Sequence, residues 1–264
     1  MNTYLLFTMI RSGNHALTQW MYPQLEGDIH THICAQYGWA EGQLRSGTIG
    51  SRDNSGDYTT DTGHHVYTFE DEELTGFKKY SMQDMEQLQG KTLIPIVLIR
   101  DPYNWLASCL YRDQRYNDSL LEEYDRGSLV EERPGSRLNG LETYKQYAAE
   151  AMGHTKLVDH PAKVIVKFND WFSSISYRKL LSKSLRLNKF SDEGLNKVTK
   201  YGNGSSFDNT NFNGKAQEMN VLSRWHQMKP DTNNYEAFSK AVSDPDIQDI
   251  ARELFNMEPL KLEQ

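Results

Sequence analysis

Residues Arg11-Ser12-Gly13-Asn14-His15 join an apolar run, Tyr4 to Ile10, to a helical pattern that begins near Asn14. A strand that ends in a short polar turn and becomes a helix at once aims several free backbone N–H groups at one point, with the positive end of the helix dipole behind them. Such a turn binds anions, and Gly13 lets an oxyanion approach the backbone closely. The same residues also admit a plainer reading, in which Asn14 caps the helix and Arg11 faces solvent. They do not fit the triphosphate pattern G-x-x-x-x-G-K-[ST], which needs a lysine after its second glycine and a hydroxyl for magnesium.

A second stretch, "VLIRDPYNWLASCLYR" from Val97 to Arg112, repeats the order strand, turn, helix. Arg100 ends the strand, Pro102 limits the turn, and Ser108 lies eight residues after Arg100, inside the helix. Anion sites at the ends of two strands suit a ligand with phosphates at both ends, such as a nucleotide bisphosphate.

With both stretches in place, the sequence resembles the sulfotransferases that use 3′-phosphoadenosine 5′-phosphosulfate (PAPS). Their first motif runs strand-x-P-K-S-G-T-T-x-helix. "MIRSGNHAL" matches it with Arg11 in the lysine position, Ser12 and Gly13 identical, and Asn14 and His15 in place of the threonines. Their second motif sets an Arg and a Ser eight apart, as Arg100 and Ser108 are. The resemblance extends more loosely to "AKVIVKFNDWFSS" and to "YGNGSSFDNTNFNGK".

The resemblance implies a three-layer α/β/α fold with a mostly parallel central sheet, like that of nucleotide kinases, with PAPS as sulfuryl donor and no metal. It places Arg11, Ser12, Gly13, Asn14 and His15 on the 5′-phosphosulfate and Arg100 and Ser108 on the 3′-phosphate. Ser205, Ser206 and Phe207 fall in the loop that closes over the adenosine end. The two serines either donate to phosphate there or are solvated, and Phe207 and Trp20 are the aromatic candidates for adenine. Trp20 also reads as helix core, and Arg224 and Trp225 read as helix packing. Arginine at position 11 keeps the charge but presents a planar fork where lysine presents a compact ammonium. Asn14 and His15 still donate hydrogen bonds where the family has hydroxyls.

Sulfuryl transfer requires acceptor and leaving oxygens in line with sulfur and stabilised charge on the leaving side. Arg11 and the loop amides supply the second need, and a base must take the acceptor proton. In the family that base is a His or Glu between the first helix and the 3′-phosphate strand. "GHHVYTFEDEEL" lies in that interval. Ligands of open parallel sheets bind at the carboxyl ends of strands, so Glu70 is the first choice and His65 the second. His15, already on the loop, touches the sulfonate or acts on the acceptor. Against these readings, Glu70 also belongs to a solvated acidic run, and His15 reads equally as a helix-surface residue.

Four short runs rich in branched or aromatic residues predict buried strands: Tyr4 to Ile10, His65 to Phe69, Leu93 to Ile99 and Lys163 to Phe168, with Pro95 arguing against the third. Helical spacing predicts Asn14 to Met21, Tyr103 to Tyr116 and Ser174 to Leu187, and near the C-terminus Asn220 to Met228, Tyr235 to Val242 and Asp246 to Phe255 with Asp246 as N-cap. Strands alternating with helices make an α/β chain with a mostly parallel sheet. Residues 35–64 and 112–140 read as long loops that cover a substrate. Lys200 to Lys215 carries too many turn formers for regular structure. His30 and His32 alternate on a possible strand, and metal binding there is the lesser reading.

The chain's 264 residues predict one domain, 1–264. With 29 Lys plus Arg against 36 Asp plus Glu, the formal charge of -7 argues against nucleic acid and anionic membranes as partners. Two cysteines are too few for a disulfide framework, and the apolar start is too short to span a bilayer, so a cytoplasmic location is expected. The expected reaction moves a sulfuryl group to a hydroxyl of a carbohydrate or small metabolite. The alternatives are a PAPS-binding or PAP-binding module without chemistry (PAP being the desulfated bisphosphate) and an ATP-dependent phosphotransferase.

Overall fold

The structure, a computed structural model, describes residues 1–33, 36–38, 43–45, 48–49, 63–71, 74, 92–111, 140–199, 205, 207–232 and 234–262. Its centre is β1 (Asn2–Thr8), which pairs in parallel with β6 (His64–Glu70) on one side and β7 (Thr92–Ile99) on the other. Beyond β6 lies β2 (Ile29–Ile33), parallel, then β5 (Thr48–Ile49), antiparallel at the edge; beyond β7 lies β8 (Val164–Lys167), parallel. β3 (Gln36–Gly38) and β4 (Gln43–Arg45) form a separate antiparallel pair.

The central strands are apolar on both faces because helices cover both. Tyr4, Leu6, Ile96 and Leu98 pack with Leu17 and Trp20 of α1 (Asn14–Met21) and Leu181 of α5 (Ile175–Ser184). Alternate residues Leu5, Phe7, Val97 and Ile99 pack with Trp105 of α2 (Pro102–Leu110), Tyr144 of α3 (Gly140–Ala151), Phe238 of α6 (Tyr235–Val242) and Ile250 of α7 (Pro245–Phe255). Period-two side chains thus feed two cores from one run of sequence, giving an α/β fold with a mostly parallel sheet between two helical layers.

Pro95 sits inside β7, opposite Leu5 of β1. It is tolerated because β8 begins to pair only at Ile96, so β7 still has an open edge at Pro95. The chain leaves β1 through α1 toward β2 on one side of the sheet, and leaves β7 through α2 toward β8 on the other. The carboxyl ends of β1 and β7 therefore flank a crevice where the strand order diverges.

Several expectations need correction. Asn220 to Met228 is not an α-helix but a turn-rich segment with a short 3-10 stretch, Arg224–Gln227. Its backbone groups bond to side chains instead: the Val221 carbonyl accepts from Arg100, and the Arg224 N–H donates to Asn104 Oδ1 at 2.6 Å. The last helix is capped by Asp244, whose carboxylate accepts from the N–H groups of Asp246 and Ile247, with Pro245 in the first turn. The 35–64 loop contains three short strands, β6 already begins at His64, and the loop's other residues up to 62 lie outside the described residues, as do residues 112–139. α3 and α4 (Phe168–Ser173) are additional helices, the latter starting directly from β8. Cys109 is buried and free, and Cys34 lies outside the described residues. No helix among the described residues is long and apolar enough to cross a membrane.

Candidate functional site

The turn after β1 is held by an aspartate one strand away. The Asp71 N–H donates to the Thr8 carbonyl at 2.9 Å, and Asp71 Oδ1 accepts from the Ile10 N–H at 2.8 Å. From there the backbone curls through left-handed conformations at Arg11, φ 64°, and Gly13, φ 96°. Gly13 is the N-cap of α1 and offers no side-chain acceptor, so the first N–H groups of the helix are left for another partner. Asn14 therefore does not cap the helix; its Nδ2 donates to Glu70 Oε1. A Cβ on Gly13 would run into the Phe168 ring at the start of α4.

Arg100, at the end of β7, closes the other side. It is 2% exposed, and its Nη1 donates both to the Arg11 carbonyl, at 3.1 Å, and to Ser108 Oγ, at 3.0 Å. Nη2 donates to the Val221 carbonyl, and the guanidinium lies 5.1 Å from the Phe168 ring centre. Burial pushes its pKa down, with the Asp101 charge opposing that shift. Among the described residues no carboxylate forms an ion pair with Arg11 or Arg100. Trp105 Nε1 donates to the Ile10 carbonyl at 2.9 Å, fastening the loop to α2 as well. Local strand, turn and helix signals thus converge in space, although Arg11 and Arg100 lie 89 residues apart.

Glu70 ends β6 beside this loop, and His15 Nε2 lies 4.0 Å from Glu70 Oε1. Burial, and then the Arg11 charge, push the His15 pKa below 6.5, so the imidazole is neutral at neutral pH. His65 does not join them. It pairs with Thr3 near the amino end of the sheet and packs against His30 at 4.9 Å between ring centres. At about 3.3 Å per residue, the five steps along the strand from His65 to Glu70 set them about 16 Å apart. Trp20 is helix core, with its Nε1 donating to Asp192 at 2.9 Å. Ser206 lies outside the described residues.

A cavity of about 220 Å³ opens between these elements. One part of its wall is cationic or polar, from Arg11, His15, Arg100, Ser108, Ser205 and Arg224. Another part is apolar, from Phe168, Trp171, Leu195 and Met219. Such a wall suits a ligand with anionic groups joined to a flat, largely apolar body. Phe207 does not line the cavity; its ring stacks on Tyr111 at 4.0 Å and lies 4.9 Å from the Arg224 guanidinium. Arg224 is the residue that sequence reasoning set aside. Its one local signal is a cation inside an irregular segment, and its placement depends on Asn104, 120 residues away.

No family model matches the chain, and no curated protein matches it in sequence. Among solved structures it is similar to a mouse sulfotransferase, SULT7A1, crystallised as a complex with PAP. The similarity has a TM-score of 0.41 and 11% identity, and covers 97% of this chain and 89% of that one. At those values it adds nothing to the reading of the site.

Proposed function

We propose that the chain is a sulfotransferase that moves the sulfuryl group of PAPS to a hydroxyl of a carbohydrate or small metabolite. The observation that carries this reading is Arg100 Nη1, which donates at once to the loop after β1 and to Ser108, so that the two motifs form one site. The donor set fits the ligand: guanidinium groups and helix N–H groups for phosphates, beside apolar side chains for a purine. The Ser12 hydroxyl, in the loop after β1, is buried with no hydrogen-bond partner among the described residues.

In this reading Arg100 and Ser108 hold the 3′-phosphate, and Arg11 with the first N–H groups of α1 faces the 5′-phosphosulfate. As the acceptor oxygen bonds to sulfur, the bond from sulfur to the bridging phosphate oxygen breaks, and charge collects on the departing bisphosphate. Arg11 stabilises that charge. Glu70 takes the acceptor proton, and neutral His15 beside it donates to or orients the reacting groups. A cytoplasmic location, with soluble acceptors as partners, belongs to the same proposal.

The test is calorimetry with PAP on the parent, Arg100→Ala and Arg11→Ala, together with transfer of labelled sulfate from PAPS over a panel of hydroxyl acceptors. Arg100→Ala is expected to weaken PAP binding, and Arg11→Ala mainly to slow transfer. If both variants bind PAP as tightly as the parent, the site assignment is wrong. Binding with no transfer to any acceptor would favour the non-catalytic module. A thermal shift with ATP and magnesium larger than that with PAP would favour a phosphotransferase.

A further inference from the structure

Between Asp170 and Asp192 the chain carries no acidic residue and five basic ones, Arg178, Lys179, Lys183, Arg186 and Lys189. The chain as a whole is acidic, with a formal charge of -7, so this stretch runs against the general balance. Among the described residues four large hydrophobic side chains are exposed: Met1, Ile175 at 51%, Leu180 at 65% and Phe190 at 36%. Three of the four fall in this one cationic segment.

The fold makes a single face of these residues. α5 buries Arg178, Leu181 and Ser182 and turns Ile175, Lys179, Leu180 and Lys183 outward. At about 100° per residue those four lie on one half of the helix surface, with both lysines between the two aliphatic side chains. Past the helix, Arg186 turns the chain at a φ of 53°, and the Phe190 ring returns to the helix face, its centre 5.7 Å from Lys179 Nζ. The loop that carries Phe190 is tied on both sides. Gln24, fully buried just after α1, accepts at Oε1 from Ser182 Oγ at 3.0 Å and from the Ser191 N–H at 3.3 Å, while its carbonyl accepts from the Asn188 N–H at 3.0 Å. The exposure of that ring is therefore built into the fold.

The outward cations are not neutralised by the protein. Nearby ion pairs join Arg178 to Asp192 and Lys197 to Glu193, and among the described residues none includes Lys179, Lys183, Arg186 or Lys189. Lysines set among exposed aliphatic and aromatic side chains suit an anionic bilayer, where the apolar groups enter the headgroup boundary and the ammonium groups stay at its phosphates. An acidic protein would meet the charges and leave the apolar side chains without a role. Net charge alone argues against an anionic membrane, yet at physiological ionic strength the screening length is about 8 Å, so acidic groups on the far side of the molecule act weakly here.

We propose that the outer face of α5 and the loop through Phe190 form a peripheral docking surface for anionic phospholipid. α5 follows α4, whose Phe168 and Trp171 line the cavity, so the surface begins beside the cavity. None of the docking residues lines that cavity, and the surface holds or fails independently of the sulfotransferase reading.

The test is sedimentation of the full chain with vesicles of phosphatidylcholine alone and of phosphatidylcholine with about 30% phosphatidylserine. Binding is expected to the second only, and it should weaken as salt rises. Lys179→Gln with Lys183→Gln should lower vesicle affinity about tenfold or more, and so should Leu180→Ser with Phe190→Ser. The control pair, Lys229→Gln with Lys240→Gln, lies at exposed positions elsewhere and should change affinity by no more than about twofold. Thermal melting checks that each variant is folded. No binding to the phosphatidylserine vesicles, equal binding to phosphatidylcholine, or equal loss in the control pair overturns the docking surface. Loss in only one of the two test pairs also overturns it, and loss confined to the lysines would assign the face to an acidic macromolecule instead.

Discussion

Replacing Gly13 by alanine tests the site through its backbone. At φ 96° a side chain is strained wherever it points, which costs about 1–2 kcal/mol. The new Cβ also overlaps the Phe168 ring, which is 4% exposed and wedged between Trp171 and Phe172 at 5.5 and 5.9 Å between ring centres. Forcing a methyl group into such packing costs about 1–3 kcal/mol more. The sum of about 2–5 kcal/mol lowers the melting temperature by roughly 5–15 °C in a chain of this size. Phe168 also lies against the Arg100 guanidinium, so moving the ring disturbs the proposed 3′-phosphate contact, and PAP affinity falls even in the folded variant. Gly27→Ala is the control: its φ is 92° and nothing lies within 4 Å of the added Cβ, so it carries only the backbone cost. Scanning calorimetry of both variants, with PAP titrations at a temperature where each is folded, isolates the contribution of Phe168. A Gly13→Ala protein that melts within about 2 °C of Gly27→Ala and binds PAP as the parent does would refute the reasoning.

Glu70→Gln keeps an oxygen to accept from Asn14, so PAP affinity and melting temperature should hold while turnover with PAPS falls about a hundredfold or more, as expected for loss of a general base. Asp71→Ala leaves the Ile10 N–H without its acceptor and should cost about 1–3 kcal/mol in chemical denaturation. His15 sets a pH dependence. Its folded pKa lies below the ordinary 6.5, so on acidification the unfolded chain takes up a proton before the folded chain does. The stability tied to His15 is therefore present above about pH 6.5 and is lost as pH falls toward its folded pKa. His15→Gln should flatten the decline in denaturation free energy over that interval.

Elements set by local pattern were legible in sequence, and those set by distant contacts were not. α1 and α6 run over Asn14–Met21 and Tyr235–Val242 as their spacing predicts, because each has one apolar face and a clear break at its ends. The strands were found because both faces of the sheet are covered, which makes β1, β6, β7 and β8 near-continuous apolar runs. Residues 220–228 carry amphipathic spacing too, but Arg100 and Asn104 compete for their backbone groups, and no local pattern reveals that. The same holds for the site. Arg11 to His15 and Arg100 to Ser108 each announce themselves as strand, turn and helix. Arg224 does not, because its place depends on a carboxamide on another helix. His65 and Glu70 bracket one strand, and only the strand's direction separates the residue in the cavity from the one at the far end.

The Arg100 guanidinium bonds to the carbonyl of Arg11, the hydroxyl of Ser108 and the carbonyl of Val221, so three segments far apart in the chain end on one side chain. This has a bearing on the order of folding. The strands of the six-stranded sheet end with β8 at Lys167, whereas the cavity wall needs Val221. During synthesis the strands can pair before the site exists, and contacts of such large sequence separation form late. A chain interrupted between these two points would have the strands of the sheet but neither the complete cavity wall nor α6 and α7, which help cover one face. The pocket therefore signals that the C-terminal third has docked, and ligand binding reports completion of the fold.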